Sequence, residues 1–199
     1  MKKKNIVAGN WKMYKTHKET GEFIKEIIPL ISSAGSSVYL AVPFTNLQAA
    51  AEASSNSNII IGAQNMHDEP EGSFTGEISG KMLKTLGVEF VIIGHSERRC
   101  LFNEEDSFIN SKIIRAIKDG LQPILCVGET QKEKEENLTR EVIERQLISG
   151  LKDVSKSDLG NVIIAYEPVW AIGTGKTQTP QIAEKMHSFI RKIIMKMFD

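Results

Sequence analysis

A glutamate followed at once by a glycine-bearing loop is the most informative pattern in this chain of 199 residues. Glu167 comes directly after the run NVIIAY (161–166), which is β-branched and continuously apolar, as is typical of a strand buried on both faces of a parallel sheet. Glu167 is therefore expected at the carboxyl end of that strand, where parallel α/β folds carry their chemistry on loops. A lone glutamate there is more often a solvated charge. The loop PVWAIGTGKT (168–177) favours a catalytic group instead.

Polar side chains also follow the other predicted strands. Short apolar runs predict buried strands at 5–10, 37–42, 59–63, 89–94, 121–127 and 161–167. The groups at their carboxyl ends are amides, cations, an imidazole, a hydroxyl, a thiol and carboxylates: Asn10, Lys12, Gln64, Asn65, His95, Ser96, Glu97, Arg98, Cys126, Glu129 and Glu167. A lone lysine or histidine is usually a solvated cation or a satisfied core imidazole, but several such groups at one edge of a sheet favour a site.

Helical patterns alternate with these strands. Their predicted starts are two capping boxes, an asparagine N-cap and a threonine cap followed by proline: Thr16 with Glu19, Thr130 with Glu133, Asn103, and Thr179 with Pro180. Glycines at 87 and 120 predict helix ends. Apolar residues recur at three- and four-residue intervals and predict one buried stripe per helix: Phe23, Ile27 and Leu30; Ile109, Ile113 and Ile117; Ile182, Met186, Phe189 and Ile193.

This alternation indicates an α/β protein with a parallel sheet. Two architectures remain open, a doubly wound open sheet and a (β/α)8 barrel, whose eight units typically need about 250 residues. The open sheet predicts a G-x-G-x-x-G turn after the first strand, but that strand runs into AGNWKMYK. The barrel is therefore favoured, as one domain over residues 1–199 that holds the first six βα units and lacks the last two. The first and sixth strands are then expected to be edges of the sheet.

Composition excludes several classes of function. Lys plus Arg equals Asp plus Glu at 25 each, so no global field attracts nucleic acid or an anionic membrane. The start MKKK is similar to a signal-peptide n-region, but Gly9, Asn10 and Lys12 interrupt the apolar stretch after it, which favours the cytoplasm. Two cysteines, Cys100 and Cys126, without paired spacing support neither a disulfide framework nor a metal site.

Five ordered motifs resemble those of the triosephosphate isomerase family: AGNWKMYK, GAQNM with GSFTGEIS, VIIGHSERR, ILCVGE and AYEPVWAIGTGKT. The resemblance extends from Asn5 to the last helix. It implies a (β/α)8 TIM barrel that interconverts dihydroxyacetone phosphate and D-glyceraldehyde 3-phosphate by proton transfer through an enediolate, in glycolysis and gluconeogenesis. It also implies a cytoplasmic homodimer that needs no cofactor and no metal.

The resemblance assigns roles that make chemical sense. Glu167 matches the general base and His95 the electrophile, which a helix amino terminus would keep as neutral imidazole. Lys12 matches the catalytic ammonium that also attracts the substrate phosphate, with Asn10 as a donor beside it. Gly173 matches a backbone donor to phosphate, and Glu97, Thr75 and Cys126 match supporting residues.

The same resemblance implies a mobile lid over the site, formed by Pro168, Val169, Trp170, Ala171, Ile172, Gly173, Thr174, Gly175 and Lys176. A nucleotide-binding P-loop is excluded as an explanation of GTGKT, because Trp170 stands where a P-loop needs glycine. Residues 64–77 resemble the family's long third loop, which inserts into the partner subunit so that Thr75 supports the other site. The plain alternative is a long surface loop.

The chain departs from the family in one functional respect. In this fold the loops after strands 7 and 8 build much of the phosphate site, and the family's YGGS-type motif does not occur before Asp199. We therefore expect the 199-residue chain alone to isomerise its substrate poorly. A second hypothesis is an inactive truncated barrel that acts as an interaction or assembly fragment. Reading the coding sequence beyond Asp199 discriminates between the two.

Overall fold

The structure, a computed structural model, describes residues 5–172 and 178–199. Within these ranges the strands are β1 (Ile6–Asn10), β2 (Ser37–Val42), β3 (Ile59–Ala63), β4 (Phe90–Ile93), β5 (Gln122–Val127) and β6 (Ile163–Tyr166). Their order in the sheet is the order in the chain, and the pairs β1–β2, β2–β3, β3–β4 and β5–β6 are parallel. Each strand lies within two residues of its prediction. This sequential order confirms the fold class, six βα units of a TIM barrel.

At least one helix follows every strand. The described helices are α1 (His17–Ile31), α2 (Leu47–Ser54), α3 (Gly80–Thr85), α4 (Ser96–Leu101), α5 (Asp106–Lys118), α6 (Gln131–Glu135), α7 (Thr139–Gly150), α8 (Lys156–Leu159) and α9 (Pro180–Phe198). Two short 3-10 turns, Phe44–Asn46 and Val169–Ala171, complete the elements. The second of these turns begins two residues after Glu167.

The helix ends follow the predicted capping chemistry with one exception. Both capping boxes form, at Thr16 and at Thr130, and the Thr179 side chain accepts a hydrogen bond from the N–H of Ile182. Gly120 has a φ of +74°, and its N–H donates to the carbonyl of Ile117, which ends α5 as predicted. The N-cap prediction at Asn103 is wrong. This residue has a φ of +54° and lies three residues before α5, because asparagine tolerates the left-handed turn that leads into the helix.

The chain divides into two compact units. The first consists of Met1–Ile92 and Arg115–Pro123, and the second of Ile93–Ile114 and Ile124–Asp199. Strands β1 to β3 belong to the first unit, whereas β6 and most of β5 belong to the second. The single-domain organisation over residues 1–199 stays a prediction.

The apolar stripes were predicted well for α5 and less well elsewhere. Ile109 and Ile113 of α5 are fully buried, but α1 buries Thr20 and Ile24 while Leu30 is 79% exposed. The deepest residues of α9 are Ile190 and Ile193. The expected stripe of α1 is thus wrong by part of a turn, because periodicity gives a helix an apolar side without fixing its rotation on the sheet.

Strands β1 and β6 stand at the two ends of the strand order, as expected. All four residues of β6 are half-buried, and Val7 of β1 is 61% exposed. The expectation that the strand before Glu167 is buried on both faces is therefore wrong. Its continuous apolar run is that of a parallel strand, but in the described sheet it has a neighbour on one side.

A close approach in the first unit gives a test of this packing. Gly62 of β3 stands opposite Phe90 of β4, and a Cβ added at Gly62 would overlap the Phe90 ring. That ring is 1% exposed and lies 4.9 Å from the Tyr39 ring, so it has no room to move. We expect Gly62→Ala to lower the free energy of unfolding by about 1–3 kcal/mol in urea titrations, as overpacking does.

The matched control is Gly21→Ala in α1, where nothing lies within 4 Å of an added Cβ. This change should raise the free energy of unfolding by roughly 0.5–1 kcal/mol, because alanine restricts the unfolded chain and favours helix. A Gly62→Ala variant as stable as the Gly21→Ala variant would contradict the packing described for β3 and β4.

Candidate active site

His95 and Glu167 come together in the second unit. His95 lies between the end of β4 and the start of α4, and Glu167 follows β6. The Nε2 atom of His95 is 3.3 Å from Oε2 of Glu167, and the two side chains are 12% and 16% exposed. A carboxylate and an imidazole thus face each other in a site that keeps most water out.

Ser96 holds the Glu167 carboxylate through both of its donors. Its backbone N–H donates to Oε1 at 2.7 Å, and its hydroxyl donates to Oε2 at 3.2 Å. Burial nevertheless raises the pKa of the Glu167 carboxyl, against the lowering effects of the Ser96 donors and of the Arg99 charge. A raised pKa makes Glu167 a stronger base than an ordinary glutamate.

The hydrogen bonds of His95 define its tautomer. The backbone N–H of Glu97 donates to Nδ1 at 3.2 Å, so Nδ1 carries no proton. The ring is then neutral with its proton on Nε2, the atom that faces Glu167. The Glu97 carboxylate lies 3.6 Å from the same Nδ1. The roles of His95 as the electrophile and of Glu97 as a supporting residue stay predictions.

The backbone of Glu167 is packed directly against Gly128. The Glu167 N–H donates to the carbonyl of Val127 at 2.9 Å, and a Cβ at Gly128 would overlap the Glu167 carbonyl. Gln146 of α7 satisfies both polar groups of Gly128: its Oε1 accepts from the glycine N–H at 2.8 Å and its Nε2 donates to the carbonyl at 3.2 Å. The backbone of Glu167 can therefore lie this close to residue 128 only because that residue is glycine.

Arg99 connects three segments around the pair. Its Nε donates to the carbonyl of Gly94 at 2.8 Å, Nη2 donates to the carbonyl of Cys126 at 3.2 Å, and Nη1 donates to Asp106 at 2.6 Å. The Cys126 thiol itself is buried, and burial, followed by the nearby charge of Glu167, raises its pKa well above the usual range. Cys126 is thus a neutral neighbour of the base.

The segment after Glu167 is attached to Glu129, which is 2% exposed. The Trp170 indole N–H donates to Oε1 of Glu129 at 2.9 Å, and the Tyr166 hydroxyl donates to both carboxylate oxygens at 3.2 and 3.1 Å. Burial, then the charge of Glu129, raises the pKa of Tyr166. Of the predicted lid, Pro168 to Ile172 are described, and Gly173, Thr174, Gly175 and Lys176 lie outside the described residues.

Asn10 and Lys12 form a cluster with Gln64 in the first unit. The Lys12 N–H donates to Oδ1 of Asn10 at 3.0 Å, and Nε2 of Gln64 donates to the Lys12 carbonyl at 2.9 Å. Lys12 has a φ of +53°, a conformation that costs a non-glycine residue on the order of 1 kcal/mol or more and persists when its surroundings hold it. That Lys12 shares a rim with His95 and Glu167 stays a prediction.

Thr75 lies exposed in the loop of residues 64–77. The loop is closed at its base by a hydrogen bond from the His67 N–H to the Ile78 carbonyl at 2.9 Å. The Phe74 ring stacks on the His67 ring at 4.3 Å and is itself 43% exposed. Thr75 therefore sits at the outward end of a loop with an ordered internal contact.

Sequence reasoning missed the roles of Ser96, Arg99 and Gln146. Ser96 and its neighbour Arg99 stand in a charged motif where nothing in the spacing shows which side chain turns towards Glu167. Gln146 does carry a readable signal. It lies on the face of α7 that buries Val142, Ile143 and Leu147, and a buried glutamine on such a face needs partners.

None of the helices that the structure describes is long and apolar enough to cross a membrane. Among residues 5–172 and 178–199, no group of three or more His, Cys, Asp or Glu side chains is arranged to hold a metal ion.

Comparison with known proteins agrees with this geometry. The family model described as triosephosphate isomerase matches residues 5–199. The triosephosphate isomerase of Carboxydothermus hydrogenoformans is 50% identical over 197 residues, which cover 98% of this chain and 78% of the relative. That of Protochlamydia amoebophila is 48% identical over 193 residues, or 97% of this chain and 73% of the relative. That of Clostridium botulinum (strain ATCC 19397 / Type A) is 49% identical over 193 residues, with 97% and 78% coverage. Since the family model spans nearly the whole sequence and these relatives are about half identical to it, the chain belongs to the triosephosphate isomerase family.

Proposed function

We propose that this chain catalyses the interconversion of dihydroxyacetone phosphate and D-glyceraldehyde 3-phosphate, a step of glycolysis and gluconeogenesis. The observation that carries the proposal is the pair formed by Glu167 and His95. A carboxylate with a raised pKa and a neutral imidazole with its Nε2 proton towards that carboxylate are the base and the donor that an enediolate reaction needs.

Glu167 is the base in this mechanism. It removes a proton from the carbon next to the substrate carbonyl and returns it to the neighbouring carbon. Its raised pKa brings base strength closer to what a weak carbon acid requires, and its burial limits solvation of the carboxylate. To reach a substrate carbon, the carboxylate gives up its hydrogen bonds with Ser96.

His95 is the electrophile. Its Nε2–H donates to the substrate carbonyl and stabilises the negative charge that develops on oxygen, which then takes up the proton that the hydroxyl of the neighbouring carbon gives up. The Glu97 N–H on Nδ1 keeps the proton on Nε2 and fixes the ring orientation. The neutral thiol of Cys126 fills space beside the base without adding charge to it.

The phosphate is assigned to Lys12, Asn10 and Gly173. Support comes from the backbone of Lys12, which Asn10 and Gln64 hold in a left-handed conformation. We assign the lid to Pro168 through Lys176 on the family pattern. Its described part is attached to Glu129 through Val169 and Trp170.

We further propose a cytoplasmic homodimer that uses residues 64–77. The exposed Phe74 and Thr75, at the end of a loop with its own stacked contact, are the features that support an intersubunit role. An ordered loop with an exposed aromatic tip suits insertion into a partner.

The first test follows proton exchange in the protein as its gene encodes it. In D2O, the wild type is expected to incorporate deuterium into dihydroxyacetone phosphate, detected by proton NMR. Glu167→Gln should slow incorporation by about a hundredfold or more, since a positioned base contributes about 10²–10⁴-fold, while substrate binding stays largely intact. Glu184→Gln, at an exposed position of α9, is the matched control and should exchange like the wild type. Wild-type exchange in the Glu167→Gln variant would refute the assignment of the base.

The second test uses the pH dependence of kcat/KM. Glu167 acts as a base only when ionised, so activity falls as pH decreases through its raised pKa, and the acid limb lies above the pKa of an ordinary glutamate. The Ser96 hydroxyl lowers this pKa because it donates to the carboxylate. Ser96→Ala should therefore move the acid limb to higher pH, whereas Ser111→Ala, on the exposed side of α5, should leave it in place. A limb that stays fixed or moves to lower pH in Ser96→Ala would argue against the Ser96 contact.

The third test concerns the homodimer. Sedimentation equilibrium of the gene-encoded protein should give twice the mass of one chain. Thr75→Arg should shift it towards the monomer, because a desolvated unpaired charge at an interface is costly. Ser188→Arg adds the same charge at an exposed position of α9 and should leave the dimer intact. A monomeric wild type, or a dimer indifferent to Thr75→Arg, would exclude this interface.

A further inference from the structure

Lys134 places a positive charge on the ring face of Trp170. Its Nζ atom lies 3.1 Å from the centroid of the indole ring. The edge of the same indole donates its N–H to Glu129 at 2.9 Å. The ring is therefore held in two directions, by a carboxylate at its edge and by an ammonium on its face.

Both residues that hold the indole, Glu129 and Lys134, lie in or next to the short helix α6. The capping box of Thr130 and Glu133 starts α6, and the Lys134 N–H donates to the Thr130 carbonyl at 3.0 Å. Glu129 comes immediately before that cap and is fixed by the Tyr166 hydroxyl. Along the chain, Lys134 follows Glu129 by five positions, and the extended Thr130 cap lies between Glu129 and the helix, so the two side chains reach the ring from different segments.

The arrangement differs from that of an ordinary surface lysine. Lys134 is exposed, and an exposed lysine usually extends its ammonium into water. Lys132, two residues earlier, does so, with its Nζ 4.0 Å from a Glu136 oxygen and its side chain 84% exposed. The two lysines share helix, charge and exposure, but only Lys134 of this pair covers an aromatic ring.

We propose that Lys134 is a positioning residue for Glu167, acting through Trp170. This inference rests on the proposed function of Glu167. A cation on the ring face attracts the indole directly, and it also strengthens the indole N–H as a donor to Glu129, because hydrogen-bonded groups polarise one another. Trp170 belongs to the turn Val169–Ala171, whose Val169 N–H donates to the Glu129 carbonyl, and only Pro168 separates this turn from Glu167. Holding the indole therefore restrains the chain on the carboxyl side of the base.

The test removes the charge and keeps the length of the side chain. The 199 residues contain two tryptophans, Trp11 and Trp170, and the indole N–H signal of Trp170 in a ¹H–¹⁵N NMR spectrum is identified as the one that Trp170→Phe removes. Lys134→Met should shift the Trp170 signal and speed its exchange with solvent by about twofold to fivefold, the loss expected for an exposed cation–π contact. The Trp11 signal serves as the internal reference. Lys134→Arg keeps a cation on the ring and should restore the wild-type signal, and Lys132→Met should not change it.

Kinetics then connect the indole to the base. For Lys134→Met we expect kcat to fall by about twofold to fivefold with a smaller change in KM, and Lys134→Arg to recover kcat. An unchanged Trp170 signal in Lys134→Met would overturn the contact, and a changed signal with unchanged kcat would overturn the positioning role. If the wild type itself fails to exchange protons of dihydroxyacetone phosphate, the proposed function fails, and the inference about Glu167 fails with it, while the NMR result still decides whether Lys134 holds Trp170.

Discussion

The position of Glu167 depends on the absence of a side chain at residue 128. The carbonyl of Glu167 occupies the space that a Cβ at Gly128 would need, one residue beyond the paired Val127 and Tyr166 of β5 and β6. Such a close approach also keeps other partners away from the polar groups of Gly128, and an unpaired buried group costs about 1–3 kcal/mol. The side chain of Gln146 pairs with both the N–H and the carbonyl of Gly128. A side chain of α7, outside the catalytic pair, thereby helps to fix the backbone position of Glu167.

Two glutamates of the second unit, Glu129 and Glu167, differ in how firmly their surroundings hold them. Glu129 accepts hydrogen bonds from Tyr166 and Trp170 and is 2% exposed, so its partners and its burial keep it in one place. Glu167 is held by a single serine and faces a neutral imidazole. A base must be able to exchange its partners for a substrate proton, and the hydrogen bonds that Glu167 gives up for this all come from Ser96. Glu129 therefore holds the chain next to Glu167, while the Glu167 carboxylate can leave Ser96 to take a substrate proton.

The sequence predicts the framework better than the contacts within it. Strands could be located because β-branched runs end in polar groups, and parallel pairing brings those ends to one edge, which is why His95 and Glu167 were expected together. Leu30 and Asn103 were misjudged because each depends on how a helix meets the rest of the fold. The link between Ser96 and Glu167 joins residues 71 positions apart, and Ser96 differs from other serines only once the chain is folded. Gln146 could have been found, since an isolated buried amide on an apolar helix face demands a partner.

Arg99 joins the segments beside Glu167 and places a positive charge near its carboxylate. Its guanidinium reaches the carbonyls of Gly94 and Cys126 and the carboxylate of Asp106, which also accepts from Arg145. A planar fork with several donors can make these bonds at once, whereas a lysine ammonium at the end of a flexible stem could not hold the same directions. The positive charge of Arg99 lowers the pKa of Glu167. The desolvation of Glu167 is nevertheless the larger effect, so the carboxylate keeps its strength as a base while Arg99 and Asp106 remain paired beside it.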